Sequence, residues 1–279
     1  MGWKELYKKL ESTAQRRRKL LLGLDFDGTL VPIVDSPSLA RLPRELRDRL
    51  AGLARRDNVS LAVVSGRSLR DIKGKVGLAG LSYIGNHGLE IESGGALWVH
   101  PGARGLERIF RSLARELKRR FLPLAGLEVE DKRLTISLHY RQMGTLPEPL
   151  LRRFLKMVRP FQEAVRISHG KKVLEIRPRL DWDKGNALLK LRRNAWAVAL
   201  VGDDETDEEG FGTLGAGAIT VRVGRCAKTA ARFRLDGPQD VYRMLEAVER
   251  IWATGPQRRR SASESGMRTR SSRSRPAHR

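Results

Sequence analysis

Five short apolar runs in this chain each stop at a cluster of small or polar residues, and that arrangement limits the fold more than any other feature. Leu20–Leu24 ends at Asp25, Val59–Val64 at Ser65-Gly66-Arg67, and Leu81–Ile84 at Gly85-Asn86-His87-Gly88. Ala195–Val201 ends at Gly202-Asp203-Asp204, and Ala218–Val223 at Gly224. Between the first two runs Leu42, Leu46, Leu50 and Leu53 recur at the spacing of an amphipathic helix. Strands alternating with helices predict an α/β fold on a doubly wound parallel sheet. In such a sheet the ligand crevice lies outside the carboxyl ends of the strands. Asp25, Ser65, Asn86 and Asp203 should therefore converge on one crevice, although they are far apart in sequence.

From Arg104 to Pro178 the rhythm changes. Gly105–Phe121 reads as a helix, Leu127–Val129 and Leu134–Tyr140 as strands, Pro147–Val158 as a helix, and Ala164–Ile167 and Val173–Ile176 as two more strands. Leu134–Tyr140 alternates in the manner of a half-buried antiparallel strand. The chain thus divides into a discontinuous α/β core, 1–103 and 179–255, and an inserted α+β unit, 104–178. Trp3–Arg18 is a basic leading helix and Val241–Trp252 a closing one.

The formal net charge is +23, which raises nucleic acid as a partner. Its distribution argues otherwise. Residues 256–279 hold eight arginines and one glutamate, leaving +16 spread over the rest. Aromatic residues are only 6% of the chain, and no run interleaves them with basic residues as a single-strand platform would. No specific nucleic-acid partner is expected. The tail from Gln257 is Arg/Ser-rich and should be disordered. No apolar run approaches the ~18–20 residues of a membrane span. Leu20–Leu24 after Arg16–Lys19 is too short for a signal-peptide core. The single Cys226 rules out an intramolecular disulfide, and a cytoplasmic location is the simplest expectation.

Asp25-Phe26-Asp27-Gly28-Thr29-Leu30 places two carboxylates at a strand end, with a glycine where the chain must turn. One carboxylate can act as a nucleophile and its neighbour as an acid and base; an Asp-rich loop capping a helix has the same look. The motifs that follow shift the balance. Asp25–Leu30 resembles the first motif of the haloacid dehalogenase superfamily of phosphatases, and Ser65-Gly66-Arg67 is similar to the second. Lys184 sits where the third belongs, and Gly202-Asp203-Asp204-Glu205-Thr206-Asp207-Glu208 resembles the fourth. Within the superfamily the trehalose-6-phosphate phosphatases are the nearest likeness. Gly85–Glu90, Val129–Lys132 with His139-Tyr140-Arg141, and Lys172–Pro178 carry it.

The resemblance implies a Mg2+-dependent hydrolysis of trehalose 6-phosphate through an aspartyl phosphate, with the insert as a cap. It implies Asp25, Asp27, Ser65 and Lys184 as catalytic residues. The metal ligands would be Asp25, the Asp27 carbonyl and Asp203, an all-oxygen set suited to magnesium, with Asp204 and Asp207 supporting them. Arg67, Glu130, Lys132 and Glu175 would contact substrate. Plainer readings stand beside these: Ser65 as a helix N-cap, Arg67 as a structural ion pair, His87 as a packed loop histidine, Lys184 as a solvated helix start, Asp204 as a helix cap. The cap charges can equally be exposed strand residues, and His139 and Arg177 are weaker candidates. A phosphatase for another sugar phosphate or a phosphoglycerate is the rival enzyme. A basic scaffold or nucleic-acid-binding protein on a relic core is the rival of another class. Association with a trehalose-6-phosphate synthase is not legible in the sequence.

Ordering the tail would cost about 1–2 kcal/mol per residue in backbone entropy, which its composition cannot offset. A chain ending at Gly255 should keep its turnover and melting temperature and lose much of any low-salt affinity for polyanions, which should itself fade steeply with salt. Side-by-side assays of full-length and truncated protein test this; loss of turnover on truncation would contradict it.

Overall fold

The computed structural model describes residues 1–16, 19–193 and 196–253. The basic tail and the starting residue of the Ala195–Val201 run lie outside them. Helix α1 (Trp3–Arg16) precedes β1 (Leu20–Asp25), α2 (Arg44–Ala54), β2 (Val59–Val64), α3 (Leu69–Val76) and β3 (Ser82–Gly85). A hairpin, β4 (Glu90–Ser93) and β5 (Ala96–Val99), leads into α4 (Pro101–Gly105) and α5 (Glu107–Phe121). Then come β6 (Glu128–Asp131), β7 (Ile136–His139), α6 (Glu148–Val158), β8 (Val165–Gly170) and β9 (Val173–Pro178). The chain continues through α7 (Lys184–Leu191), β10 (Ala197–Gly202), α8 (Glu205–Leu214), β11 (Ile219–Val223), β12 (Phe233–Leu235) and α9 (Pro238–Ile251).

The larger sheet has the order β12-β11-β10-β1-β2-β3-β4-β5. Strands β12 to β3 pair in parallel, and β3-β4-β5 pair antiparallel. The expected parallel sheet is there in six neighbouring strands, and an antiparallel hairpin extends it at one edge. Glu90–Ser93 and Ala96–Val99 flank Gly94-Gly95, both at positive φ. That dipeptide is a two-residue hairpin signal, and the hairpin occupies one edge of the sheet. β12 is only three residues long, below what an apolar pattern reveals.

Burial explains the rest. Along β1, Leu20, Leu22 and Leu24 join the apolar cluster that holds Leu6, Leu10, Leu50 and Val241, while Leu21 faces the one with Leu188 and Phe211. The strand is buried on both faces, as a doubly wound sheet requires. Neighbouring strands β10, β1, β2 and β3 end at Gly202, Asp25, Val64 and Gly85. Their carboxyl ends open on one edge.

The second sheet, β6-β7-β9-β8, is antiparallel throughout. Phe110, Leu117 and Phe121 of α5 and Phe154 of α6 pack with Ile136, Leu138, Leu174 and Ile176. Side chains alternate faces along a strand, so Ser137 and Glu175 point away from that core. The register pairs Glu130 with Ser137, Ser137 with Glu175, and Ser168 with Glu175. One polar row thus crosses all four strands.

The end of β3 packs tightly on α3. A Cβ at Gly85 would lie 2.5 Å from the Leu69 nitrogen and 2.7 Å from its Cα, backbone atoms that cannot swing aside. Gly74, inside α3, has nothing within 4 Å of its Cβ position. Gly85→Ala should cost about 1–3 kcal/mol, and Gly74→Ala should add roughly 0.5–1 kcal/mol. Urea unfolding of both variants checks the contrast; equal shifts would refute the close approach.

Candidate active site

The loop after β1 turns at Gly28, where φ is +90°. A Cβ there would meet Asp203 Oδ2 at 2.2 Å, so glycine is what lets this loop lie against the end of β10. Phe26 is buried beneath, and the Gly28 N–H donates to the Val31 carbonyl at 2.7 Å. Asp25 and Asp203 are left facing one cleft of about 540 Å³.

Lys184 enters from the opposite sheet face as the first residue of α7, whose N-terminus is fixed by a capping box between Asp183 and Asn186. Its side chain is 1% exposed, and Nζ lies 2.8 Å from Asp25 Oδ1, 2.8 Å from Asp207 Oδ1 and 3.7 Å from Asp204 Oδ1. Asp204 is the N-cap of α8 and accepts from the Asp207 N–H and the Thr206 hydroxyl. Asp207 Oδ2 accepts from the Asp203 and Asp204 N–H groups at 3.0 and 3.1 Å. Asp203 takes Thr29 Oγ1 at 3.4 Å on one oxygen and Lys171 Nζ at 2.7 Å on the other.

Burial raises the pKa of Asp25 and Asp207 well above the carboxylate range, against the pull of Lys184. Burial also raises Asp203, with Asp204 adding to it and Lys171 opposing. Asp204 goes the other way: burial would raise it, but Lys184 and the Asp207 hydrogen bond bring it below the usual value. Lys184 is held protonated well above its ordinary pKa, since Asp204, Asp207 and Asp25 outweigh its burial.

Side-chain oxygens of Asp25, Asp203 and Asp207 come within 4.8 Å of one another. Four carboxylates share this edge with the ammoniums of Lys184 and Lys171, so negative charge is in surplus. A buried, all-oxygen, electron-rich cluster fits a hard divalent cation. Both Asp207 oxygens are already taken by Lys184 and backbone N–H groups. Asp25 Oδ2, by contrast, has no hydrogen-bond partner among the described residues.

Asp27 turns from this cluster to Arg67, which grips both of its oxygens at 2.6 and 2.7 Å and reaches Asp71 at 2.7 Å. The open choice for Arg67 has an observed side in this ion pair, and the guanidinium also lines the cleft. Its pKa is raised, the carboxylates overcoming burial. Ser65 is not the helix cap: α3 is capped by Ser68, while Ser65 Oγ accepts from the Arg67 N–H at 3.1 Å.

Across the cleft stand Glu130, Lys132, Ser137, His139 and Glu175. Lys132 Nζ donates to Glu175 and, at 2.8 Å, to the Gly66 carbonyl. His87 Nε2 lies 2.6 Å from the other Glu175 oxygen. Burial lowers the pKa of His87 against Glu175; burial would raise Glu175, but His87 and Lys132 hold it well below the usual range. His139 meets Glu130 at 3.0 Å. Arg177 is drawn off to Glu209 of α8 at 2.7 Å. The residue that sequence reasoning missed is Lys171: attention fell on Lys172, whose ammonium goes to the Gly144 carbonyl. Only the hairpin geometry of β8 and β9 shows which lysine points at Asp203.

A mixed α/β sheet with this acidic edge, and a second α+β unit over it, defines a phosphatase of the haloacid dehalogenase class. Residues 23–239 match the family model described as trehalose-phosphatase, and the chain belongs to that family, whose members are phosphoric monoester hydrolases. A probable trehalose-phosphate phosphatase 3 of Oryza sativa subsp. japonica is 32% identical, over 88% of this chain and 73% of the relative. A trehalose-phosphate phosphatase of Mycobacterium bovis is 34% identical, over 86% of this chain and 64% of the relative. The crystal structure of a trehalose-6-phosphate phosphatase related protein superposes with a TM-score of 0.74 at 27% identity, covering 84% of this chain and 98% of that one. Among the described residues no helix is long and apolar enough to cross a membrane.

Removing one partner of a buried ion pair costs about 3–5 kcal/mol, because a charge is left uncompensated. Lys184→Met should lose that much stability in metal-free buffer, read by denaturant unfolding. A loss below about 1 kcal/mol would mean that the cluster does not depend on the ammonium.

Proposed function

We propose that the chain hydrolyses trehalose 6-phosphate to trehalose and inorganic phosphate, with Asp25 as nucleophile and magnesium as cofactor. The observation that carries this is Asp25 itself: one oxygen is held by Lys184, and the other faces a cleft whose far wall is the polar row Glu130, Ser137 and Glu175. A phosphate group suits the acidic edge with its cation, and a hydroxyl-rich sugar suits the row. The relatives' printed names favour trehalose 6-phosphate over other sugar phosphates.

Asp25 and Asp203, with the Asp27 carbonyl, would hold the ion, which when bound offsets the repulsion between a phosphate dianion and a carboxylate. Asp25 Oδ2 attacks phosphorus, and the bond from phosphorus to the sugar oxygen breaks. The Asp27 carboxyl, a short turn away, gives its proton to that oxygen. Asp27 then takes a proton from water as the water oxygen attacks phosphorus, and the bond to Asp25 breaks to release phosphate. Arg67 now occupies both Asp27 oxygens, so one must leave the guanidinium for Asp27 to reach the leaving group. Ser65 donates to a phosphoryl oxygen, and Lys184 aims Asp25 and opposes the upward push of burial on its pKa. Asp204 and Asp207 hold Lys184, while Arg67, Glu130, Lys132 and Glu175 orient the substrate.

A panel of sugar phosphates, assayed for phosphate release with magnesium and with chelator, tests the reading. Trehalose 6-phosphate should be the best substrate, and chelation should abolish turnover until magnesium is restored. Asp25→Asn should stay folded and lose turnover. Glu130→Gln should cost about 1–3 kcal/mol, roughly 5- to 150-fold in kcat/KM, on trehalose 6-phosphate and far less on an aryl phosphate. A flat panel, or an active Asp25→Asn protein, would refute it.

A further inference from the structure

The turn after β3 is strained and entirely buried. Asn86 and His87 have φ of 48° and 57°, and both are under a tenth exposed. Two successive non-glycine residues in the left-handed region persist only where their surroundings over-determine them. Here the surroundings belong to both sheets.

The Asn86 side chain makes three hydrogen bonds, one within the large sheet and two across that boundary. Nδ2 donates to Glu90 Oε2 at 2.7 Å and to the Lys132 carbonyl at 3.1 Å. Oδ1 accepts from Thr135 Oγ1 at 2.7 Å. A carboxylate and a carbonyl can only accept, so they fix which way the carboxamide faces. The Asn86 N–H also donates to the Arg67 carbonyl at 2.7 Å, tying the turn to the loop that holds Asp27. Lys132 and Thr135 belong to the β6–β7 turn of the second sheet. Arg133, between them, is also left-handed and reaches Glu90 Oε1 at 2.7 Å. Beside it, Lys132 Nζ reaches the Gly66 carbonyl and His87 reaches Glu175.

We infer that Asn86 is a positioning residue that sets where the second sheet docks, and so where Lys132 and Glu175 stand when sugar binds. This rests on the sugar-phosphate reading of the cleft. The two sheets meet here through a buried amide rather than through apolar contact alone. Selection of the sugar is therefore a property of the joint: Lys132 is pinned to the large sheet by its carbonyl and by its ammonium. Aspartate cannot replace Asn86, since a carboxylate would face the acceptors of Glu90 and Lys132. Glycine would keep the backbone and lose the joint.

The test uses Thr135→Val, which removes one hydrogen bond with little change of shape, and Asn86→Gly, which keeps the left-handed backbone. Both should lower kcat/KM for trehalose 6-phosphate, mainly through KM: Thr135→Val by about tenfold, the order expected of one buried hydrogen bond, and Asn86→Gly, which deletes three, by at least as much. Turnover of p-nitrophenyl phosphate, which cannot use the second sheet's polar row, should stay within about threefold by the same arithmetic. The double variant should be no worse than Asn86→Gly alone, which already deletes the Thr135 hydrogen bond. Amide exchange in residues 132–137 should quicken in both variants. Equal losses on both substrates, additive losses, or unchanged exchange would each overturn the inference. If the wild-type protein cleaves the aryl phosphate but not trehalose 6-phosphate, the substrate reading fails. Exchange alone then judges the joint. If Asn86→Gly does not fold, the substrate contrast and exchange of Thr135→Val decide.

Discussion

The Lys184 ammonium is the interaction on which the candidate site depends. It is buried at the carboxyl edge of the large sheet, within 2.8 Å of both Asp25 and Asp207. Three carboxylates, of Asp25, Asp204 and Asp207, lie within 3.7 Å of it; in a medium less polarising than water they would repel and protonate more readily without it. Lys184 stays charged there because the aspartates more than repay its desolvation, and they in turn are held by it. The backbone contributes as well. Asp204 and Asp207 sit at the N-terminus of α8, where unpaired N–H groups and the helix dipole favour negative charge. The cluster is thus a product of two helix starts, α7 and α8, meeting one strand end.

The rest of the molecule is arranged around that edge. Adjacent strands β10, β1 and β2 deliver Asp203, Asp25 and Ser65, and the order of the sheet makes them neighbours whatever their separation in sequence. The second sheet offers no such charge cluster. It offers a row of hydrogen-bonding groups, Glu130, Ser137, Glu175 and Ser168, in register across four strands. Chemistry at phosphorus and recognition of a sugar are in this account divided between two surfaces that face each other. The β3 turn, the Lys171–Asp203 contact and the Arg177–Glu209 pair are among the places where the two units touch.

Much of this was legible in the residues. Apolar runs ending in aspartate or serine identified the strand ends, because a parallel strand buried on both faces leaves polar residues only at its tips. The insert was visible as a change of rhythm, since Ile136 and Leu138 alternate with Ser137 and His139 where the core strands do not alternate. The β4–β5 hairpin was missed because Glu90-Ile-Glu-Ser carries too few apolar residues to signal a strand, and its Gly94-Gly95 turn was passed over. Lys171 was missed for another reason: which of two adjacent lysines enters a cleft depends on hairpin register, and composition carries no register. The Arg67–Asp27 pair likewise joins residues forty positions apart, so only the folded sheet reveals it.

The central claim is that Asp25 carries the phosphoryl group during turnover. It is tested most directly by quenching the protein with acid while it turns over trehalose 6-phosphate, then locating phosphate by peptide mass spectrometry. Asp27→Asn protein given p-nitrophenyl phosphate, whose leaving group needs no proton, should accumulate the adduct because it lacks the base for the second step. The account predicts one phosphoryl group on the peptide containing Asp25, absent without magnesium and absent in Asp25→Asn. Phosphate on another residue, or sustained turnover with no adduct in either protein, would contradict it.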